Sequence, residues 1–254
     1  MLLALDIGNT NITLGVFDGE RLAATWRLST DRSKMPDEYS IMLTQLMSLR
    51  GMSPQDIHAV ALCSVVPPLT PMFADMCRQF FAVEPLVVAA GTRTGIRILY
   101  DNPRDVGADR IVDAAAALKL YGGPIIIVDM GTATVFDAVT ADGDYLGGAI
   151  APGMTIAHDA LFSSTSQLRR VELVSPATPI GKNTIHAIQS GIVLGYAELV
   201  RGMVARFDEE LGGGAKVIGT GGMAHVIERE AGVFDDLNPD LTLTGLRLIH
   251  EMAK

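Results

Sequence analysis

Three short stretches of this chain carry residue types that can do chemistry on a phosphate. The first is Asp6-Ile7-Gly8-Asn9-Thr10-Asn11-Ile12-Thr13, an aspartate at the end of an apolar run followed by a glycine and hydroxyl-bearing turn. Such a turn gathers a carboxylate, exposed backbone N–H groups and hydroxyls around one small volume, and a glycine lets a large anion approach the backbone without a Cβ in the way. A carboxylate repels phosphate. Asp6 therefore needs an intervening cation, and Mg²⁺ keeping its waters is the ion that nucleotide phosphates bring. The second stretch, Asp129-Met130-Gly131-Thr132-Ala133-Thr134, repeats the pattern 123 residues after Asp6. The third, Lys216-Val217-Ile218-Gly219-Thr220-Gly221-Gly222, is another strand signal running into glycines. One such turn could be only a hairpin; two copies and a third glycine turn point to a nucleotide site.

A different constellation fills residues 100 to 110, Tyr100-Asp101-Asn102-Pro103-Arg104-Asp105-Val106-Gly107-Ala108-Asp109-Arg110, ahead of a helix pattern over Ile111 to Tyr121. It is more polar than anchoring a helix requires. Asp109 can serve as a first-turn acid, or as a general base that takes a proton from an alcohol as a phosphoryl group arrives. Thr184 stands at the start of a long helical pattern through about Leu211 and is a ligand candidate, whereas Gln189 and Ser190 read as parts of a capped amphipathic helix. Its apolar stripe of Ile188, Ile192, Leu199 and Met203 suits pairing with a second copy of the chain, or burial within one lobe.

Competing chemistries fail on spacing. Gly181-Lys182-Asn183-Thr184 ends like a Walker A loop, but Pro176 occupies the first glycine position and Asn183 separates the lysine from the threonine. Gly219-x-Gly221-x-x-Ala224 matches a dinucleotide fingerprint with Asp240 at the ribose-acid distance, yet only 30 residues follow Ala224. His58, His158, His186, His225 and His250 lack metal spacing, and no serine sits in a GxSxG elbow.

The elements that must position these residues alternate. Apolar runs at 2–5, 12–17 and 22–28 read as three strands, the last two joined at Asp18-Gly19. A helix follows over 37–50 with Pro36 at its opening, then a strand at 58–65, a helix over 69–81 and a strand at 85–89. Strands at 124–128 and 135–139, closed by Asp142-Gly143, repeat the opening pattern. The expectation is an α/β protein of two duplicated lobes, 1–115 and 116–254, with a nucleotide cleft between them. Of 254 residues, 48% are hydrophobic and 26 are glycine, which excludes disorder; Cys63 and Cys77 suit neither a disulfide scaffold nor a zinc site and fit a reducing compartment. A net charge of −9 argues against bulk attraction to nucleic acid or an anionic membrane. The N-terminal apolar run is too short for a signal peptide and no stretch is long enough to span a bilayer, so a cytoplasmic protein is expected.

Taken in order, Asp6-x-Gly8-Asn9-Thr10-Asn11, Gly107-Ala108-Asp109-Arg110, Asp129-x-Gly131-Thr132-Ala133-Thr134, Asn183-Thr184 with Gln189-Ser190-Gly191, and Thr220-Gly221-Gly222 resemble the successive motifs of type III pantothenate kinases. The resemblance implies two ribonuclease-H-like lobes of the acetate and sugar kinase, Hsp70 and actin superfamily. It implies ATP-dependent phosphorylation of the primary hydroxyl of pantothenate to 4′-phosphopantothenate, the first step of coenzyme A biosynthesis. By the same resemblance residues 6 to 13 cradle the ATP phosphates with Thr132, Asp109 accepts the proton, and Asp129 helps hold K⁺ or NH₄⁺ beside Mg²⁺. Tyr100, Gly107, Ala108, Asp109, Arg110 and Thr184 would line the pantothenate pocket of a cytoplasmic homodimer. The alternatives are another small-molecule kinase of the superfamily, which should lack the Gly107–Arg110 segment, and a non-catalytic actin-like ATP-binding protein, which would not need Asp109.

Overall fold

In the computed structural model, which describes residues 1–253, the chain forms two compact units. The first comprises residues 1–96 and 101–116 together with the C-terminal segment from Leu241; the second comprises 97–100 and 117–240. A single division after residue 115 would thus leave the C-terminal segment in the other unit.

The first unit is built on a five-stranded sheet of β1 (Leu2–Ile7), β2 (Asn11–Asp18), β3 (Arg21–Ser29), β4 (Ala59–Ser64) and β5 (Leu86–Val87), in the order β3-β2-β1-β4-β5. β1 to β3 are an antiparallel meander, and β4 and β5 run parallel to β1. The near-continuous apolar run of β1 reflects burial on both faces. Leu3, Leu5 and Ile7 pack with Ile12 and Leu14 against Tyr39 and Leu43 of helix α1 (Pro36–Ser48) and Leu69 and Phe73 of helix α2 (Leu69–Met76). Leu2 and Ala4 face the other way, with Phe17 and Cys63, toward Val112 and Ala115 of helix α3 (Ala108–Tyr121) and Leu243 and Leu246 of the C-terminal helix. Pro36 stands at the first position of α1, where its missing N–H costs nothing.

The second unit holds β6 (Arg97–Ile98), β7 (Ile125–Met130), β8 (Ala133–Val139), β9 (Asp144–Pro152), β10 (Lys216–Thr220) and β11 (Asp236–Leu237), in the order β11-β10-β7-β8-β9-β6. Without the edge strand β6, the order and strand senses reproduce those of the first sheet: an antiparallel β7-β8-β9 meander with β10 and β11 parallel to β7. The internal repeat of the sequence is therefore a repeat of topology. Its helices are α4 (Met154–Ser163), α5 (Thr184–Gln189), α6 (Gly195–Glu210) and α7 (Ala224–Ala231), and α8 (Leu241–Met252) is the C-terminal helix of the first unit.

The long helix expected from about 183 to 211 is present from Thr184 to Glu210 and includes a wide π turn over Ser190–Leu194, where the Ser190 hydroxyl donates to the Pro179 carbonyl at 2.5 Å. Of the stripe, Ile188 and Ile192 are buried in the core of the second unit with Val200 and Val204, and Leu199 and Met203 pack against it partly buried, the second of the two placements open to it. Among the described residues, no helix is long and apolar enough to cross a membrane.

Candidate active-site residues

Asp6 is the penultimate residue of β1, directly opposite Thr13 on β2 and Cys63 on β4. The turn beyond it is tied down on both sides. Gly8 N–H donates to the Asn11 carbonyl at 3.0 Å, the Thr30 hydroxyl donates to the Gly8 carbonyl at 2.6 Å, and Arg32 donates to the Asn9 side chain at 3.0 Å. Ile7 and Ile12 are wholly buried on the α1/α2 face, so only their backbone is left for a ligand.

Asp109 lies in the first turn of α3, and its Oδ1 accepts the Arg110 backbone N–H at 2.8 Å. Gly107 leaves room for this: a Cβ there would stand 2.6 Å from Asp109 Oδ1. Burial pushes the Asp109 carboxyl above the usual carboxylate range, while the Arg110 N–H and guanidinium pull the other way. Asp6 is pushed up to about 7, first by burial and then by the Asp109 charge, with the Cys63 thiol and Arg27 opposing. The structure thus brings together two carboxylates that lie far apart in sequence, in surroundings that raise their affinity for a proton or a cation.

Two neighbours of this pair escaped the sequence reading. The Cys63 thiol donates to Asp6 Oδ1 at 3.5 Å, and burial pushes that thiol well up. Asp113, one turn beyond Asp109 on α3, is 4% exposed. A lone acid inside the run Ile111-Val112-Asp113-Ala114-Ala115 was the available signal, since an isolated carboxylate is rarely buried without a partner.

In the second unit, Asp129 occupies the same place on β7 that Asp6 has on β1, opposite Val135 and Thr220. Gly131 N–H donates to Ala133 O at 3.0 Å, so this turn is one residue tighter than that at Gly8. The third glycine site closes over Asp129. Gly221 has φ +83°, and a Cβ on it would meet Asp129 Oδ1 and stand 2.6 and 2.7 Å from the Met130 backbone. Thr132 is exposed at the turn, and its carbonyl accepts Gly153 N–H at 3.1 Å.

Tyr100 and Thr184 are held by different elements of this unit. Tyr100 lies against Gly147 of β9, where a Cβ would stand 3.1 Å from its ring, and its centroid is 6.5 Å from that of Tyr145. Thr184 is the exposed first residue of α5, behind an Asn183 cap whose Oδ1 accepts His186 N–H at 2.9 Å. It borders an open apolar hollow of about 400 Å³ lined by Leu161, Leu168, Ile188 and Ile192. Gln189 donates to the Glu172 carbonyl at 2.9 Å, a structural role.

No group of three or more His, Cys, Asp and Glu side chains among the described residues is arranged to hold a metal ion. A carboxylate pair is what Mg²⁺ needs when it keeps most of its waters. Asp6, beside a second carboxylate, fits that ion, and Asp129 under a glycine cradle that a Cβ would fill fits a cation of lower charge.

A sequence model of the family described as type III pantothenate kinase matches residues 2–206. A protein named type III pantothenate kinase from Roseiflexus sp. (strain RS-1) is 53% identical over 254 residues, covering 100% of both chains. Another of that name from Moorella thermoacetica is 50% identical over 251 residues, covering 99% of each. Among solved structures, component A of (R)-2-hydroxyglutaryl-CoA dehydratase from Acidaminococcus fermentans superposes with a TM-score of 0.59 at 14% identity, over 100% of this chain and 99% of that one. That likeness concerns the fold alone.

Proposed function

The chain belongs to the type III pantothenate kinase family, and from that premise we infer how its residues divide the work. It is an ATP-dependent kinase that phosphorylates pantothenate in coenzyme A biosynthesis. Asp109 is the proton acceptor. The observation that carries this is a carboxylate at the start of α3, given space by Gly107 and made more basic than a free aspartate by burial. It takes the proton of the primary hydroxyl as the phosphoryl group arrives, and the Arg110 N–H holds its Oδ1 in place meanwhile.

Residues Asp6 to Thr13 and Thr132 bind the ATP phosphates through turn N–H groups and hydroxyls. Asp6 would hold Mg²⁺ through water, and Asp129 a monovalent cation, K⁺ or NH₄⁺. Bound cations neutralise phosphate oxygens, which a protein of net charge −9 with acidic turns otherwise repels. Tyr100, Gly107, Ala108, Arg110 and Thr184 bind pantothenate. The active form is a cytoplasmic homodimer. Light scattering at assay concentration checks the dimer, and a monomeric mass would dismiss it.

The test is coupled ADP release with pantothenate present and absent. Turnover should require pantothenate, and Asp109→Asn should lower kcat by roughly 10² to 10⁴ with ATP affinity nearly unchanged. Near-normal turnover in that variant would leave Asp109 as a helix-end acid only.

A further inference from the structure

The register of the first sheet places four side chains in one row across four strands. Arg27 on β3 is opposite Thr13 on β2, Thr13 is opposite Asp6 on β1, and Asp6 is opposite Cys63 on β4. Directly paired residues project to the same face. Their neighbours on alternate positions confirm which face this is: Phe17, Leu22 and Ala61 belong to the cluster under α3 and α8, whereas Trp26 and Leu28, on either side of Arg27, pack on the α1/α2 face. Arg27 therefore shares its face with the Asp6–Thr13 turn and with the start of α3 that carries Asp109.

Arg27 is exposed, and among the described residues it makes no hydrogen bond or ion pair. The other cations near the turn are engaged. Lys34 is paired with Asp31 at 2.8 Å, Arg32 donates to Asn9 at 3.0 Å, and Arg110 acts on Asp109. Two strand spacings of about 4.8 Å separate the Arg27 and Asp6 backbones. The guanidinium has the stem to cover much of that span, and its charge is already felt at Asp6. A planar cation with five donors, on the same sheet face as Thr13 and Asp6 and hydrogen-bonded to no carboxylate among the described residues, is the group that phosphate oxygens take best.

We propose that Arg27, in register with Thr13 and Asp6 on one face of the first sheet, is a phosphate-binding residue that contacts the ATP triphosphate directly. The assignment rests on the kinase reading above and adds to it a positive group that the motif turns themselves lack. The pantothenate carboxylate is the competing anion, but Arg27 is aligned with the phosphate turn.

The experiment compares wild type with Arg27→Gln and Arg27→Lys. Arg27→Gln should lower kcat/KM for ATP by roughly 10²-fold, the usual cost of removing one preorganised donor to a charged transition state. KM for pantothenate should stay within about twofold, and Arg27→Lys should recover part of the loss because it keeps the charge and loses the fork. Calorimetry with Mg²⁺ and AMPPNP should show weaker binding to Arg27→Gln while its thermal unfolding matches wild type. Unchanged AMPPNP affinity, or a loss confined to KM for pantothenate, would overturn the proposal. A wild-type protein that releases no ADP with pantothenate would instead count against the kinase reading, and the AMPPNP titration would still decide on Arg27.

Discussion

Replacing Gly221 by alanine should be among the most damaging single-methyl additions in the second unit, and its cost divides into two parts. The first is conformational: φ is +83°, a region where an L side chain costs about 1–2 kcal/mol. The second is crowding. The new Cβ would stand 2.6 and 2.7 Å from the Met130 backbone carbonyl carbon and nitrogen and against Asp129 Oδ1. Met130 belongs to β7, an interior strand, and its carbonyl accepts Met223 N–H at 3.1 Å, so neither segment can retreat without breaking that bond. Overpacking against such a rigid neighbour costs about 1–3 kcal/mol. The sum is about 2–5 kcal/mol. Gly212→Ala is the control, because Gly212 has φ +92° but nothing within 4 Å of its Cβ position and should show the conformational part alone. Urea titrations followed by far-UV circular dichroism compare the two; fluorescence suits this poorly, since the single tryptophan, Trp26, lies in the first unit. Equal losses for the two variants, with unchanged m values, would show that the closure of Gly221 over Asp129 is not tight and would remove the cradle argument.

Gly107→Ala should act differently, because its Cβ would meet the end of a side chain: Asp109 rotates away, stability changes by less than about 1 kcal/mol, and kcat falls at least about tenfold, read from turnover beside a thermal melt. Asp6 raised to about 7 in the fold against 3.8 in the free chain binds its proton more tightly when folded. In cation-free buffer its contribution to stability is therefore greatest below pH 4, falls as pH rises to about 7, and is flat above; Asp6→Asn should remove that slope in urea titrations while abolishing activity. Withdrawing K⁺ at fixed Mg²⁺ should lower the rate, and equal rates at zero and saturating K⁺ would cancel the role proposed for Asp129.

Much of this protein is legible without coordinates because its decisive signals are local. An apolar run ending in Asp-x-Gly, a hydroxyl turn and a second strand describe a hairpin, and a second copy 123 residues later predicts duplicated sheets, which the two strand orders reproduce. Gly107, Asp109 and Arg110 are equally readable, being adjacent along the chain. What sequence could not supply are relations that exist only after strands take their order and register. Asp6 and Asp109 sense each other only because α3 packs over the sheet face on which Asp6 sits, and Cys63 reaches Asp6 only because β4 aligns parallel to β1. Nothing in the spacing of Arg27, Thr13 and Asp6 reveals a row, since it depends on the pairing of two successive hairpin strands. The α6 stripe shows the same limit from the other side. Helical periodicity says that one face is apolar, but which surface covers it is a property of the packed unit, and here the core of the second unit takes it. The C-terminal helix α8 likewise carries an apolar face whose partners, β1, β2 and β4, lie more than 170 residues earlier, so its place in the first unit is decided by tertiary packing alone.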